Sequence, residues 1–425
     1  MDLEAVIERN RLALGIPGVA VAVLDGAGDV RTICQGVTSL EHPLPITPTT
    51  LFQIGSISKT FVATAALALV DEGRLDLDEP VRTYVDDLQL STPELTEGVT
   101  TRHLLTHTTG WVGDYFADTG EGDDALSRFV AKLAKAPQLT PLGETYSYNN
   151  SAFNLASHVV ARVHGTTYER AAKELVLRPL GLRRTCFTAE DAISQRVAIG
   201  HRDGRAQRWR RPRAHHGAGG VLSCIEDLVA YARFHLTPPN AAVASMQVVQ
   251  RAAGSLCDEV GLSWMIDRHA GLTVVHHGGT TNGYQADLRL VPERGLAWVM
   301  LTNAEHHHQL DCVIQEALLG DDHEVAAGAP PSLDEYAGHY ESVLADLDLV
   351  VDDEGLRLDV STPRRALWSP DDEVEPARPT RLVFRDADRV QALDLPYTGH
   401  RGEFVRDADG AIEWLRWDGR LARRV

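Results

Sequence analysis

The run Val62-Ala63-Thr64-Ala65-Ala66-Leu67-Ala68-Leu69-Val70 has almost no polar face, and a helix that is apolar all round belongs inside a core. Any fold for this chain must be built around it. The run is entered through Phe52-Gln53-Ile54-Gly55-Ser56-Ile57-Ser58-Lys59-Thr60-Phe61, a glycine-introduced turn that carries Ser-x-x-Lys. Three residues is close to one helical turn, so Ser56 and Lys59 share a face, the hydroxyl near the helix N-terminus and the amine one turn deeper. A serine hydroxyl is a weak nucleophile at neutral pH, and a neighbouring amine takes its proton only where burial has lowered the pKa of the lysine. Arginine supplies nearly all the positive charge here, the only lysines being Lys59, Lys132, Lys135 and Lys173. Since arginine does not deprotonate in proteins, a lysine inside an apolar helix of an arginine-rich chain asks for a chemical role. Taken alone, the motif is equally compatible with a lysine that snorkels out of the core.

Composition removes several other classes of function. With 425 residues, 44% of them hydrophobic and 24% charged, the chain reads as an ordinary folded protein, longer than one core usually serves. A large domain plus a smaller one is expected. The formal net charge of -19 argues against general affinity for nucleic acid or for an anionic membrane. Locally, Arg205, Arg208, Arg210, Arg211 and Arg213 cluster around Trp209, as a solvated loop or as the entrance for an anionic substrate. Cys34, Cys186, Cys224, Cys257 and Cys312 are scattered, odd in number and without Cys-x-x-Cys spacing, so neither a disulfide framework nor a zinc knuckle is implied. A reducing compartment fits them. The N-terminus shows no basic segment followed by an apolar one, and no apolar run reaches the length of a membrane span, so a cytoplasmic protein is expected. His306-His307-His308 reads as a solvated turn whose side chains diverge, and neither a metal nor a cofactor is expected.

Taken in order, residues from about Asp2 to Leu14 read as a helix, followed by a hairpin of Val19 to Leu24 and Val30 to Cys34 around a Gly-rich turn. From Thr101 to about Leu182 the pattern is mostly helical. Thr273 to His277, Tyr284 to Val291 and Leu296 to Thr302 read as strands, and Gln309 to Leu319 as a last helix. Strands from both ends of this stretch with helices between them predict an α+β domain, an antiparallel sheet flanked by helices with an inserted helical subdomain. Its expected limits are 1–322, with the helical subdomain at about 80–215 and a linker at 323–332. Beyond the linker, short strands separated by turns such as Asp352-Asp353-Glu354-Gly355 predict a small all-β barrel or meander over 333–425, with no catalytic constellation in it.

Two further stretches carry chemistry. Tyr148-Asn149-Asn150 stands before an amphipathic helix, where a tyrosine can point into a cleft. A phenol beside an ammonium ionises more easily, so Tyr148 could relay the Ser56 proton, and Asn150 offers both a donor and an acceptor. Ordinary helix capping would use the same residues. His277-Gly278-Gly279-Thr280 is expected to end a strand, where two glycines let a substrate lie against the edge and a backbone N–H face a developing oxyanion. His276 and His277 alternate faces, so only one should meet the cleft. His215 or His216 could approach it as well.

Together, Ser56-x-x-Lys59, Tyr148-x-Asn150 and His277-Gly278-Gly279 resemble the three motifs of the β-lactamase and penicillin-binding-protein family of serine hydrolases, in its Tyr-x-Asn form: class C β-lactamases, DD-peptidases, D-aminopeptidases and family VIII esterases. Leu104-Leu105-Thr106-His107-Thr108-Thr109-Gly110, Pro179-Leu180-Gly181-Leu182 and Gly219-Gly220-Val221-Leu222-Ser223 are similar too. The tail resembles the lipocalin-like domain appended to some members. The resemblance implies Ser56 as acylated nucleophile, Lys59 and Tyr148 as the general-base system, Asn150 positioning Lys59 and the substrate amide, and the N–H groups of Ser56 and Thr280 as oxyanion hole. His277 stands where β-lactamases have a lysine that helps hold the substrate carboxylate, which puts efficient β-lactam hydrolysis in doubt. The expected activity is cleavage of an ester or amide of a small molecule or peptide. Alternatives are an acyltransferase or thioesterase of penicillin-binding-protein type, which passes the acyl group to an amine or alcohol, and an idle sensor.

Overall fold

The computed structural model describes residues 2–209, 211–304, 307–321, 332–361, 378–395 and 397–425. Asp2 caps the first helix, its carboxylate accepting the Glu4 and Ala5 amides, and Leu3–Ala13 turns Leu3, Val6 and Ile7 inward. The hairpin Gly18–Leu24 and Val30–Gly36 forms as expected, with Val21 opposite Ile33. Its inner strand then pairs antiparallel with Leu296–Thr302, Val21 opposite Met300, which joins the two ends of the larger unit in one sheet.

That sheet has eight strands, in the order Val30–Gly36, Gly18–Leu24, Leu296–Thr302, Tyr284–Val291, Leu272–Thr281, Met265–His269, Glu259–Val260 and Arg251–Ala252. Strands such as Gly18–Leu24 and Leu296–Thr302 are buried along nearly their whole length, because helices cover both faces. Leu3–Ala13 and His307–Leu319 share one face with Val19, Val21, Trp298 and Met300. The opposite face meets Ser58–Asp71 and Ile225–Leu236, and here the apolar run that dominates the sequence is buried. In sequence, the helices Pro93–Gly98, Thr101–Leu105, Ala125–Lys132, Asn150–His164 and Tyr168–Ala172 fall between the first two strands of the sheet and the rest.

The C-terminal strands Gly338–Glu341, Asp346–Asp352, Gly355–Ser361, Arg378–Phe384, Arg389–Ala392, Arg401–Arg406, Ile412–Trp417 and Arg420–Arg424 close into an antiparallel barrel. Tyr336, Tyr340, Leu349, Leu358, Phe404 and Leu415 fill it, the inward positions of strands that alternate. The expected linker, 323–332, lies outside the described residues except for its last position. Among the described residues no helix is long and apolar enough to cross a membrane.

Two expectations need correcting. His307 and His308 open the helix His307–Leu319 instead of lying in a turn, while His306 is outside the described residues. The strand expected to stop at His277 runs on through both glycines to Thr281, with Gly278 opposite Asp287 and Gly279 opposite Ala286. The reason lies in what those glycines touch.

Candidate active site

The turn that carries Ser56 is seated directly on that strand. Gly55 has a φ of 50°, a left-handed conformation that favours glycine, and a Cβ on it would lie 2.8 Å from the Thr280 nitrogen. A Cβ on Gly279 would overlap the Ile54 carbonyl and lie 2.9 Å from the Ser56 nitrogen. Two glycines facing each other therefore let backbone pack on backbone, which brings the Ser56 and Thr280 amides to one junction. Ser58 fastens the turn from behind, donating to the Gly55 carbonyl at 2.6 Å and accepting from the Val221 amide at 3.0 Å. Gly279→Ala should cost on the order of 2–3 kcal/mol of stability, because a backbone carbonyl cannot step aside. Gly278→Ala should be tolerated, since its Cβ would come no closer than 3.4 Å to Asp287 Oδ2 and 3.9 Å to the Ala286 carbonyl, ordinary contact distances. Thermal unfolding of the two variants side by side checks this difference.

After one turn of 3-10 helix over Gly55–Ile57, the α-helix Ser58–Asp71 carries Lys59 into the core. Ser56 is half-buried and Lys59 fully so. Lys59 Nζ lies 3.0 Å from Ser56 Oγ, 2.7 Å from Asn150 Oδ1 and 2.6 Å from the Ala218 carbonyl. Burial pushes its pKa well below the ordinary lysine value. The Arg420 and Arg211 guanidiniums push the same way, and Asp114 opposes them. A neutral amine has two N–H bonds and one lone pair. The Asn150 and Ala218 oxygens can only accept, so both N–H bonds go to them and the lone pair is left for the Ser56 hydroxyl.

Asn150 opens the helix Asn150–His164, and Asn149 caps it by accepting the Ala152 amide at 2.7 Å. Capping and site chemistry thus fall to neighbouring asparagines. The Asn150 amide is oriented by Asp114, whose Oδ1 accepts from Nδ2 at 2.6 Å. The other Asp114 oxygen accepts from Arg420 Nε at 2.8 Å, 306 residues away in sequence, on the last strand of the barrel. The Arg420 guanidinium also lies 4.8 Å from the centre of the Tyr148 ring, and the Tyr148 amide donates to the Gly419 carbonyl at 2.7 Å. The barrel, in which the sequence predicts no catalytic constellation of its own, therefore reaches the candidate site through Gly419 and Arg420. Further barrel contacts secure it: Arg401 pairs with Asp258 and Asp267, and Arg416 donates to the Tyr146 and Ala253 carbonyls.

Tyr148 is buried with its hydroxyl interacting with Ser56, and Lys59 Nζ is 4.8 Å from its ring centre. It is not readily ionised. Burial pushes the phenol well above its ordinary pKa, and the opposing effects of Ser56 and Arg420 are smaller. The expectation of an easily formed phenolate overlooked that desolvation. Tyr148 instead presents a neutral O–H.

His277 is also buried beside Lys59, and burial lowers its pKa to about 3. Its Nδ1 is 2.7 Å from the Gly278 carbonyl, which only accepts, so the ring proton sits there and Nε2 is bare. Nε2 makes no hydrogen bond among the described residues. Such a ring accepts a hydrogen bond and offers a carboxylate no charge. His276 points the other way, to Asp267 at 3.0 Å. His215 and His216 do not face the nucleophile. His215 is held between Asn154 and the Ala117 carbonyl, His216 by Glu169 at 2.8 Å, and together they brace the segment that offers the Ala218 carbonyl to Lys59.

The arginine cluster divides. Arg205 and Arg208 are exposed, Arg213 pairs with Asp123 and Glu169, and Arg210 is outside the described residues. Arg211 Nη1 lies 3.8 Å from where a Gly219 Cβ would stand, close enough to the site to act on Lys59. Among the described residues, the one group that could hold a metal is His339, Glu341 and Asp346 on the barrel, where His339 is already engaged by Asp348 at 2.6 Å. Asp114, Arg420 and the Ala218 carbonyl escaped sequence reasoning. Asp114 and Arg420 stand 306 positions apart, and no local pattern around either points to the other.

An antiparallel sheet covered on both faces, with helices inserted and a serine at the mouth of a buried lysine-bearing helix, defines a class of serine hydrolases. The chain belongs to the beta-lactamase family, whose profile matches residues 3–319. Penicillin-binding protein 4 of Amycolatopsis lactamdurans is 31% identical over 309 residues, 68% of this chain and 81% of that protein. Unguisins hydrolase ungD' of Aspergillus campestris is 28% identical over 331 residues, 72% of this chain and 62% of that protein. The crystal structure of SurE with D-Leu matches with a TM-score of 0.77 and 26% identity, covering 100% of this chain and 98% of that one. That likeness includes the barrel.

Proposed function

We propose that this protein forms an acyl-enzyme on Ser56 and cleaves an ester, thioester or amide of a small molecule or peptide. The observation that carries the reading is the set of three contacts around Lys59, which leaves a neutral amine one lone pair, directed at the Ser56 hydroxyl. In the first step Lys59 takes the Ser56 proton while Oγ bonds to the substrate carbonyl carbon, and the carbonyl π electrons move to oxygen. The Ser56 and Thr280 amides stabilise that oxyanion. As the intermediate collapses, the bond to the leaving group breaks. The Tyr148 O–H gives the leaving group a proton and recovers one from Lys59. Water, activated by the same groups in reverse, releases the acid.

His277 bears on the substrate. With Nε2 bare and the ring neutral, it suits a substrate N–H or O–H better than the carboxylate of a β-lactam, so a peptide or amide is favoured over an antibiotic. Similarity to a hydrolase of unguisins and to a structure with D-Leu is in keeping with peptide-like substrates. Acyl transfer is the second reading. What favours it is the barrel turn at Gly419 and Arg420, which packs against Tyr148 beside the candidate site, where exclusion of water from the acyl-enzyme would favour another acceptor. The absence of a disulfide among the five cysteines fits a reducing, cytoplasmic setting.

The test is intact-protein mass spectrometry after incubation with a fluorophosphonate and with a panel of activated esters, thioesters, D-amino-acid amides and a cephalosporin. An adduct mapping to Ser56, and missing from Ser56→Ala, is expected. Absence of any adduct on the wild type would refute the enzyme reading, and aminolysis outrunning hydrolysis when amines are added would favour transfer.

A further inference from the structure

His107 is a buried residue, 1% exposed, with a φ of 58°. A positive φ is uncommon outside glycine, although asparagine, aspartate and histidine adopt it more often than other residues, and holding it costs on the order of 1–3 kcal/mol. What the conformation achieves can be read from its contacts. The His107 carbonyl accepts the Ser147 amide at 2.9 Å, and its Nδ1 accepts the Asn149 amide at 2.8 Å. The amide between these two, that of Tyr148, donates to the barrel at Gly419. Three successive amides are thus held from two sides, two of them by one residue. The His107 ring also lies flat against the Tyr148 ring, with centroids 4.5 Å apart and planes within 22°, and packs on Tyr146 and Phe153 at 5.5 and 4.9 Å.

The chemistry of the ring follows from the same contacts. An amide N–H can only donate, so Nδ1 is bare and the ring proton sits on Nε2. Burial above all pushes the ring's pKa well below the ordinary histidine value, which keeps it neutral. A neutral ring stacks on the phenol without placing a further cation beneath it. Asn149, whose amide His107 holds, is the cap of the helix that begins at Asn150.

We propose that His107 is a positioning residue for the second motif: its left-handed backbone lets its carbonyl and its ring together hold Tyr148 against Ser56 and set the helix start from which Asn150 reaches Lys59. This rests on the reading above that Tyr148 moves a proton. A residue serving only the core would gain nothing from the strained backbone, which glycine or asparagine would hold at less cost.

The test is a double-mutant cycle on acylation kinetics with an activated ester, using His107→Gly, His107→Asn, Tyr148→Phe and the two doubles, with thermal unfolding to show that each variant is folded. His107→Gly removes ring and acceptor. His107→Asn keeps the left-handed backbone and an acceptor near the Nδ1 position. His107→Gly is expected to lower kcat about 30- to 100-fold with little change in KM, the scale of a displaced catalytic group, and His107→Asn to recover part of it. In the Tyr148→Phe background the same substitutions should remove less than about threefold more, because their effect passes through the phenol. A folded His107→Gly with kcat within about threefold of wild type would overturn the proposal. So would losses that multiply fully with those of an impaired Tyr148→Phe. Should Tyr148→Phe alone acylate at the wild-type rate, the reading of Tyr148 would fall and this proposal with it, an outcome visible in that single variant.

Discussion

Replacing Lys59 with arginine should keep the positive charge of the site and still lower the rate of Ser56 acylation by about 10³-fold or more. In the proposed mechanism Lys59 acts as a neutral amine, the form that burial favours. Its two N–H bonds are claimed by Asn150 Oδ1 and the Ala218 carbonyl, and only the remaining lone pair can receive the serine proton. A guanidinium has no basic lone pair and does not deprotonate in proteins. It is also larger, and the fully buried site at the start of a packed helix has little room for it. Lys59→Met, of similar length and uncharged, therefore accompanies it and should fold and be equally unreactive. Stopped-flow acylation with an activated ester measures both. Near-normal acylation by Lys59→Arg would mean that the lysine acts only through its field.

Arg420→Ala should lower kcat/KM by about 10²-fold and displace the pH profile towards alkali. Two effects combine. Arg420 is the ion-pair partner of Asp114, whose side chain is only 5% exposed, so its removal leaves a buried carboxylate without its cation and frees the Asn150 amide that this carboxylate orients. Breaking a buried pair on one side typically costs about 3–5 kcal/mol, and a loss of stability of that order is expected too. The second effect is electrostatic. Arg420 lowers the Lys59 pKa and Asp114 raises it, so without Arg420 the Lys59 pKa rises. The base must be neutral to act, and the acid limb of the rate profile therefore moves to higher pH. The double variant Arg420→Ala with Asp114→Asn should regain much of the stability, since neither charge is then left alone, but not the activity. Melting temperatures and pH–rate profiles of single and double variants separate the effects. An unmoved acid limb in Arg420→Ala would show that the barrel does not tune the base.

Much of the fold was legible because its signals are local. A helix with no polar face, a hairpin around a Gly-rich turn and short alternating strands after a change in composition each depend on neighbours in sequence, and each formed. The three motifs were legible for the same reason, each being a residue pattern on one turn or one strand. The strand through Gly278 and Gly279 was misjudged because glycine usually signals a break, whereas Gly279 lacks a side chain here to admit the Ile54 carbonyl from another element. Tyr148 was misjudged because a neighbouring ammonium can be inferred from motifs, while the extent of desolvation depends on everything packed around the phenol.

What the sequence determined by itself is the pairing of Ser56 with Lys59, the candidate nucleophile and base, and the helix that buries them, since residues one helical turn apart share a face. What only the tertiary structure decided is the state in which they are held. Whether Lys59 is neutral, which way Asn150 points and how Tyr148 is braced depend on Asp114, Ala218, His107 and Arg420, brought together across as many as 306 residues. Charge and hydrogen bonding act through space, over a few ångströms, and no spacing along the chain records which distant side chains arrive within that range.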